Sequence, residues 1–317
     1  MQWDEDEVLL ASVPDNWPDP VYDFQSHPIS KKGFELGRKL FHDPGLSLDS
    51  TISCASCHSQ FNAFTHVDHP VSHGIQDRIG KRNSPVLINL AWSRNFHWDG
   101  GVVNLQMQPL NPITNPDEMD NTIENVLAYL NAHREYPSLF YEIYGDSAIT
   151  TKSFLSALEQ FTVSLISSNS KYDQFIKGEV KFTKQEKNGL KLFRKHCSTC
   201  HPEPLFTTNS FANNGIPKDT SDLGRYGITM QIEDSYLFKI PTLRNIAYSF
   251  PYMHNGSFKR LQDVIEHYNS GIDRGDERLS PVLRNEMNLS DMEKKDLLAF
   301  LNTLTDKSFM FNRSFME

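Results

Sequence analysis

The pentapeptide Cys-X-X-Cys-His occurs twice in this chain of 317 residues, at residues 54–58 and at residues 197–201. The two copies use all four cysteines of the sequence. Two thiols at this spacing, followed directly by an imidazole, are the attachment signature of a c-type haem, in which the histidine binds the iron. The sequence therefore predicts two covalently bound haem c groups. The residues expected to hold them are Cys54, Cys57 and His58 for the first haem and Cys197, Cys200 and His201 for the second.

Charge and hydropathy argue against several partners and locations. The formal net charge of −9 argues against nucleic acid and against an anionic membrane surface. No apolar run approaches the roughly 20 residues that a membrane-spanning helix needs. The first residues show neither the basic nor the apolar region of a signal peptide. Because haem c is attached outside the bacterial cytoplasm, we nevertheless expect an exported, periplasmic protein in its mature form.

The pattern of apolar residues predicts a mainly α-helical fold. Each haem motif follows an amphipathic stretch, and these stretches share a weak repeat, Gly-Arg-Lys-Leu-Phe at residues 37–41 and Gly-Leu-Lys-Leu-Phe at residues 189–193. Helical periodicity returns in four further segments, residues 122–131, 151–167, 261–268 and 291–304. Long segments rich in Pro, Asn, Gly and Asp lie between them, such as residues 108–117 and 202–222, and loops of this length often carry function or wrap a cofactor.

Chain length and the two haem motifs together indicate two domains. Polar residues and Gly178 interrupt the helical pattern near residues 167–182. We therefore predict two cytochrome c-like haem domains with long connecting loops, residues 1–170 and residues 171–317. Two classes of function fit such a protein. An electron carrier would have two strong ligands on each iron, whereas an enzyme would leave one iron open for a small molecule.

Further motifs carry a family resemblance. They are Arg-Asn-Ser-Pro at residues 82–85, Trp-Asp-Gly at 98–100, the segment 108–119, Pro-Thr-Leu-Arg-Asn at 241–245 and Pro-Tyr-Met-His-Asn-Gly at 251–256. In this order and spacing the chain resembles the bacterial di-haem cytochrome c peroxidase superfamily from about residue 30 to residue 305, and within it the MauG-like branch. The resemblance implies a peroxide-binding haem in the N-terminal domain and an electron-transfer haem in the C-terminal domain.

The placement in the MauG-like branch depends on Tyr268. This residue shares one helical face with the aliphatic residues of segment 261–268, so spacing alone favours a core aromatic residue. The resemblance implies instead that Tyr268 binds the second iron together with His201, where ordinary relatives use methionine. A tyrosinate ligand favours ferric and higher oxidation states. Met253 and His254 are rival ligands, although their turn is expected to pack against the haem edge.

The resemblance assigns acid–base chemistry at the first haem to Glu118. Splitting a peroxide requires a group that takes a proton from one oxygen and delivers it to the other, and a carboxylate in an apolar pocket can do both. Gln108 and Pro112 are implied to line the same distal pocket. The alternative is structural, because Asn-Pro-Asp-Glu at residues 115–118 is typical of a helix start.

The resemblance also places residues between the two haems. Trp98, which by default would be a buried structural tryptophan, is implied to relay electrons or holes between them. Asn83, together with the backbone carbonyls of Ser249 and Pro251, matches a shared calcium site. Calcium prefers such hard oxygen ligands. The expected cofactors are therefore two covalent haem c groups and one calcium ion.

Two positions depart from known members of the superfamily. MauG proper has a surface tryptophan six residues before the second haem histidine, used as the exit for holes, and this chain has Lys195 there. Many di-haem peroxidases cap the first iron with a loop histidine until they are half reduced, and the matching position holds Ile75, which cannot bind iron. We therefore expect an open site in the fully ferric protein, unless the loop shifts to bring in His73.

The sequence as a whole predicts a MauG-like di-haem c-type peroxidase that reduces hydrogen peroxide with electrons from a protein partner. Its second haem is expected to store an oxidising equivalent. The partner is expected to be a protein substrate, a small cytochrome or a cupredoxin. An ordinary cytochrome c peroxidase that detoxifies peroxide is one alternative, and a non-enzymatic di-haem electron carrier is the other.

Overall fold

The computed structural model describes residues 13–317, and the chain start considered above lies outside the described residues. The fold is rich in helix. The described residues form α1 Lys31–His42, α2 Cys54–Cys57, α3 Leu110–Thr114, α4 Ile123–Ala132, α5 Tyr136–Tyr144, α6 Thr151–Val163, α7 Lys171–Ile176, α8 Lys184–His196, α9 Tyr226–Thr229, α10 Leu261–Glu266, α11 Asp291–Asn302 and α12 Lys307–Met310. One short antiparallel ladder pairs β1 Phe211–Ala212 with β2 Phe238–Lys239. Within residues 13–317, no helix has the length and apolar character needed to cross a membrane.

The four segments with helical periodicity all contain helices. Segments 122–131 and 291–304 correspond to α4 and α11, whose first turns are capped by Thr122 and Ser290. Segment 151–167 is helical as α6 only to Val163. Segment 261–268 is divided between α10 and a π-helical turn, His267–Gly271. The mainly α-helical prediction is therefore confirmed, with one helix that changes its hydrogen-bond pattern.

The weak sequence repeat corresponds to two similar helix crossings. Helix α1 packs on α6, and helix α8 packs on α11. A methyl group on Gly37 would overlap the carbonyl of Ala157, and one on Gly189 would overlap the carbonyl of Asp296, so each crossing needs glycine for its close approach. Buried phenylalanine pairs lie next to both crossings, with ring centroids 5.0 Å apart in each; they are Phe41 with Phe161, and Phe193 with Phe300.

The buried apolar side chains form two clusters. The first contains residues between Ile29 and Leu165, and the second contains residues between Tyr172 and Leu304. Near the C-terminus the chain returns to the first cluster, which also includes Phe309, Met310 and Phe315. The division into domains 1–170 and 171–317 stays a prediction, and its first twelve residues lie outside the described ones.

Arg82 joins the two parts of the chain. Its guanidinium forms two parallel hydrogen bonds to Asp222, both 2.7 Å long, and a third of 2.6 Å to Asp99. Paired Arg–carboxylate bonds of this kind fix orientation as well as distance. The segment that carries Trp98 is therefore held against the long loop that follows the second haem motif.

Candidate haem sites

The first haem motif forms α2 and the residue after it. The N–H of His58 donates to the Cys54 carbonyl oxygen at 2.9 Å. The ring nitrogen Nδ1 of His58 lies 2.8 Å from the Phe64 carbonyl oxygen. Since a carbonyl can only accept, Nδ1 carries the proton and Nε2 keeps its lone pair for a metal.

The second haem motif is held in the same way. The N–H of His201 donates to the Cys197 carbonyl oxygen at 2.9 Å, and Nδ1 donates to the Phe206 carbonyl oxygen at 3.0 Å. Phe64 and Phe206 are both fully buried and both adopt positive φ angles, 57° and 55°. Each histidine thus has its ring oriented by one buried phenylalanine carbonyl.

Burial sets the protonation of both motifs. It lowers the pKa of His58 and of His201 to about 4, so both imidazoles are neutral at pH 7, as iron binding requires. Burial raises the pKa of the Cys54 thiol and of the Cys197 thiol to about 12. All four cysteines are free of disulfides, which leaves their sulfurs available for covalent attachment.

The residues around the second motif fit a haem. A cavity of about 490 Å³ is bordered by Cys197, Cys200 and His201. Much of the remaining lining is apolar, including Leu261, Val264, Ile265, Leu297 and Leu301. Two thiols and a neutral imidazole at an apolar cavity form the donor set that a c-type haem takes.

Tyr268 borders this cavity together with the aliphatic residues of α10. It lies in the π-helical turn His267–Gly271, and such turns are frequent at functional sites. Burial raises the pKa of Tyr268 to about 12, while a hydrogen bond with the Asn214 side chain opposes that rise. The predicted ligand pair of His201 and Tyr268 is therefore brought to one cavity.

Asn214 is a site residue that the sequence did not reveal. Besides its hydrogen bond with Tyr268, its side-chain nitrogen donates to the Met253 sulfur at 3.2 Å, and its carbonyl oxygen lies 2.9 Å from His267 Nε2. Met253, one rival ligand, thus has its sulfur occupied. The other, His254, stacks on Phe238 with ring centroids 3.5 Å apart. No sequence motif singles out Asn214, because it lies in a loop between the two motif-rich regions.

Glu118 lies near the first motif, on a turn rather than in a helix. Residues 116–119 form a turn after α3, and the Asn115 side chain donates to Glu118 Oε1 at 2.7 Å. The helix start that was the structural alternative for residues 115–118 is therefore not formed. Burial raises the pKa of Glu118, and the hydrogen bond from Asn115 opposes that rise. Burial raises the pKa of Cys54 and of Cys57, and the charge of Glu118 adds to both shifts, so the carboxylate lies in the neighbourhood of the first haem motif.

Pro112 and Gln108, which were also predicted for the distal pocket of the first haem, lie in different places. The carbonyl of Pro112 accepts from the Met119 N–H at 3.1 Å and so anchors the turn that carries Glu118. Gln108 borders the 490 Å³ cavity, whereas Glu118 does not.

The loop before residue 80 packs directly against this turn. The N–H of Ile75 donates to the Glu118 carbonyl oxygen at 2.8 Å, and Ile75 is fully buried. A methyl group on Gly74 would overlap the backbone of Glu118. The ring of His73 is engaged elsewhere, since its Nδ1 lies 2.6 Å from Asp77 and it stacks on His69. Among the described residues, no group of three or more His, Cys, Asp or Glu side chains could hold a metal ion.

Trp98 and Asn83 meet at the edge of the cavity. The indole Nε1 of Trp98 donates to the Asn83 carbonyl oxygen at 2.7 Å. The Asn83 side-chain nitrogen lies 2.6 Å from the Pro251 carbonyl oxygen, while its Oδ1 is buried without a hydrogen-bond partner. Ser249 borders the same cavity, and Lys195 borders it from the exposed end of α8.

Comparisons with known proteins identify relatives of this chain. A family model described as di-haem cytochrome c peroxidase matches residues 31–181. The methylamine utilization protein MauG of Methylorubrum extorquens is 34% identical over 90% of this chain and 82% of its own length. Cytochrome c551 peroxidase of Pseudomonas aeruginosa is 31% identical over 92% of this chain and 83% of its own.

A solved structure extends the likeness to the whole fold. A MauG-like protein associated with microbial copper homeostasis superposes with a TM-score of 0.86 at 31% identity, covering 99% of both chains. The two haem motifs and the helical fold, together with these relatives, identify the chain as a c-type di-haem oxidoreductase. The chain belongs to the di-haem cytochrome c peroxidase family, whose relatives include both MauG proteins and cytochrome c peroxidases.

Proposed function

We propose that this protein is a MauG-like di-haem peroxidase, which reduces hydrogen peroxide with electrons from a protein partner. The observation that carries the proposal is the presence of Tyr268 and the second Cys-X-X-Cys-His motif at one apolar cavity. When bound, haem supplies the iron at which peroxide is cleaved and oxidising equivalents are held. In this proposal Cys54, Cys57 and His58 hold the haem that peroxide meets, and the second haem is held by Cys197, Cys200, His201 and Tyr268.

Glu118 is proposed to move the proton that peroxide cleavage requires. Its carboxyl group has a pKa raised by burial, so it can accept a proton from one peroxide oxygen and return it to the other. Asn115 binds Oε1 and so fixes the carboxyl plane. Glu118 therefore acts from a preset orientation, which the packed loop with Ile75 preserves. Gln108 and Pro112 are proposed to line the same distal pocket.

Tyr268 must lose its proton to bind iron. Burial raises the pKa of the phenol, to about 12 with the opposing hydrogen bond from Asn214 included, so the protein by itself keeps the phenol neutral at pH 7. A ferric iron nearby would supply the positive charge that favours the phenolate. The hydrogen bond from Asn214 acts in the same direction. The choice of tyrosine over Met253 favours higher oxidation states at the second haem.

Calcium is proposed to bind between the two haem sites. Asn83 Oδ1 is a buried oxygen without a partner, and the nitrogen of the same amide lies 2.6 Å from the Pro251 carbonyl oxygen. Rotation of the amide by half a turn would direct Oδ1 toward that carbonyl, and the Ser249 carbonyl is proposed as a third ligand. Oxygen donors of this kind suit calcium. Trp98, hydrogen-bonded to the same asparagine, is proposed to couple the two haems.

The partner is proposed to be a protein substrate or a small soluble electron donor in the periplasm. Lys195 stands where MauG proper has its exit tryptophan, so a different contact is expected. The described association of the solved MauG-like relative with copper homeostasis makes a copper-handling protein one candidate partner. An ordinary cytochrome c peroxidase remains the alternative, because relatives of that kind match over a similar length.

The deciding experiment is Tyr268→Phe, read by electron paramagnetic resonance of the ferric protein. We expect the low-spin signal to change while the high-spin signal stays nearly unaltered. Tyr252→Phe is a matched control, because Tyr252 borders the same cavity but donates its hydroxyl to the Ile246 carbonyl at 2.9 Å. Both variants should retain two haems per chain after acid–acetone extraction. A Tyr268→Phe spectrum identical to wild type would make Tyr268 a core aromatic residue and leave the ordinary peroxidase as the better assignment.

A further inference from the structure

Lys239 is a half-buried cation without a carboxylate partner. It ends the short strand β2 and borders the 490 Å³ cavity. Its ammonium donates to the Asn95 carbonyl oxygen at 2.7 Å. None of the ion pairs among the described residues includes Lys239. An ammonium has three donors, so two remain for another acceptor.

The unfavourable free energy of an ammonium without a counter-charge indicates that an anion binds beside Lys239. Burial of an ammonium without a counter-charge is unfavourable and lowers the pKa of Lys239 to about 8. Natural proteins rarely bury lysine unless it is paired. The cavity on which Lys239 opens is the one that fits a haem. A haem carries two propionate carboxylates at one edge, and these are anions of the required kind.

His97 provides a second unused donor at the same place. It precedes Trp98 in a positive-φ conformation (63°) and borders the cavity, and its Nε2 is buried without a partner. Burial lowers the pKa of both His58 and His97; the charge of His97 adds to the shift of His58, and the charge of Lys239 adds to the shift of His97. His97 is therefore close to both Lys239 and the first haem motif.

The other nearby cation is already engaged. Arg82 lies over the ring of Phe238, the residue that precedes Lys239 in the sequence. Its guanidinium donates one hydrogen bond to Asp99 and two to Asp222. Two carboxylates thus already neutralise Arg82. Lys195 also borders the cavity without an ion pair, but it is exposed to solvent, whereas Lys239 is half-buried and its charge is left uncompensated by the described residues.

We propose that Lys239 and His97 form an anchor for a haem propionate between the two haem sites. The carboxylate would accept from Lys239 Nζ and from His97 Nε2–H, while Asn95 keeps its own bond to the lysine. The inference rests on haem attachment alone and not on the proposed peroxide chemistry. Its consequence is electrostatic, because the lysine charge would favour the reduced form of the haem that it touches.

The test compares Lys239→Met with Lys239→Arg in the holoprotein. The haem content is measured first, and two haems per chain establish that attachment is intact. Spectroelectrochemical titration then gives the reduced-to-oxidised ratio of each haem at a fixed potential. We expect Lys239→Met to lower that ratio for one haem roughly tenfold, as one unit charge about 10 Å away would at an effective dielectric constant of about 20. Lys239→Arg should keep the wild-type ratio, because its charge and donors are retained.

Resonance Raman spectra provide the readout specific to a propionate. The propionate bending bands should shift in Lys239→Met and in His97→Phe, and should not shift in Lys218→Met, whose lysine pairs with Asp276 on the surface. Unchanged bands and unchanged titrations in a fully loaded Lys239→Met protein would overturn the proposal. Lys239 would then have only the structural role of binding the Asn95 carbonyl oxygen. If Lys239→Met fails to load haem, His97→Phe decides by the same two measurements. Loss of peroxide reactivity in the wild type would count against the proposed function and not against this anchor.

Discussion

The two halves of the molecule share one structural frame, made of the helix crossing and the oriented haem histidine. They differ in the side chain that is proposed to act at each haem. In each half a glycine permits a close helix crossing, a phenylalanine pair lies beside it, and a buried phenylalanine carbonyl orients the haem histidine. The side chains that are proposed to act across the haem from these histidines are unrelated in the two halves. The first half offers Glu118 on a turn, whereas the second offers Tyr268 on a π-helical turn. The haem histidines thus belong to the architecture that the halves share, whereas Glu118 and Tyr268 lie on segments that differ between the halves.

The largest expected difference between the halves concerns Glu118. Glu118→Gln removes the proton-accepting group but keeps the shape, so we expect the reaction of the ferric protein with peroxide to slow on the order of a hundredfold or more. Stopped-flow absorbance of the haem bands measures the rate. Glu124→Gln is the matched control, since it changes an exposed carboxylate in the first turn of α4. A rate within a few-fold of wild type would leave Glu118 with only a structural role.

The same residue predicts a pH dependence. The carboxylate form accepts the proton, so the rate should fall as pH falls through the raised pKa of Glu118. The Asn115 hydrogen bond stabilises the charged form, and Asn115→Leu should therefore move the acid limb of the rate profile to higher pH. A limb that stays in place would show that another group controls it.

A smaller effect tests the shared frame itself. Gly37→Ala and Gly189→Ala each place a methyl group against a carbonyl of the crossing helix. We expect each to lower the free energy of unfolding by about 1–3 kcal/mol, the usual range for overpacking. Chemical denaturation followed by circular dichroism measures it, with Gly227→Ala in α9 as a control, because a methyl group there meets nothing within 4 Å and the residue does not have a positive φ. A large loss in only one half would show that the two crossings are not equivalent.

The smallest expected effect concerns activation. His73 is bonded to Asp77, and buried Ile75 holds the adjacent backbone against Glu118. We therefore expect His73→Ala to react with peroxide at the wild-type rate, and both proteins to react without prior reduction. A ferric wild type that stays inert until one electron is added, together with a reactive His73→Ala variant, would show that His73 caps the first iron.

The sequence allowed the shared frame to be predicted better than the distal sides. The haem motifs and the repeat around Gly37 and Gly189 are local patterns, and local patterns fix local structure. Residues 115–118 carried a helix-start signal, but they form a turn in which the Asn115 side chain donates to Glu118. The backbone carbonyl of Glu118 accepts a hydrogen bond from Ile75 in the packed loop and not from a following helical turn. The π-helical turn and the contacts of Asn214 depend on residues distant in sequence. No periodicity could have shown them.

The return of the chain to the first cluster after α11 has a consequence for truncation. Phe309 and Phe315 pack on Phe64, whose carbonyl orients His58, so residues distant in sequence complete the surroundings of the first haem motif. The cluster around the second motif is built from residues between Tyr172 and Leu304. Removal of residues 309–315 would therefore loosen the haem site that lies farthest from them along the chain.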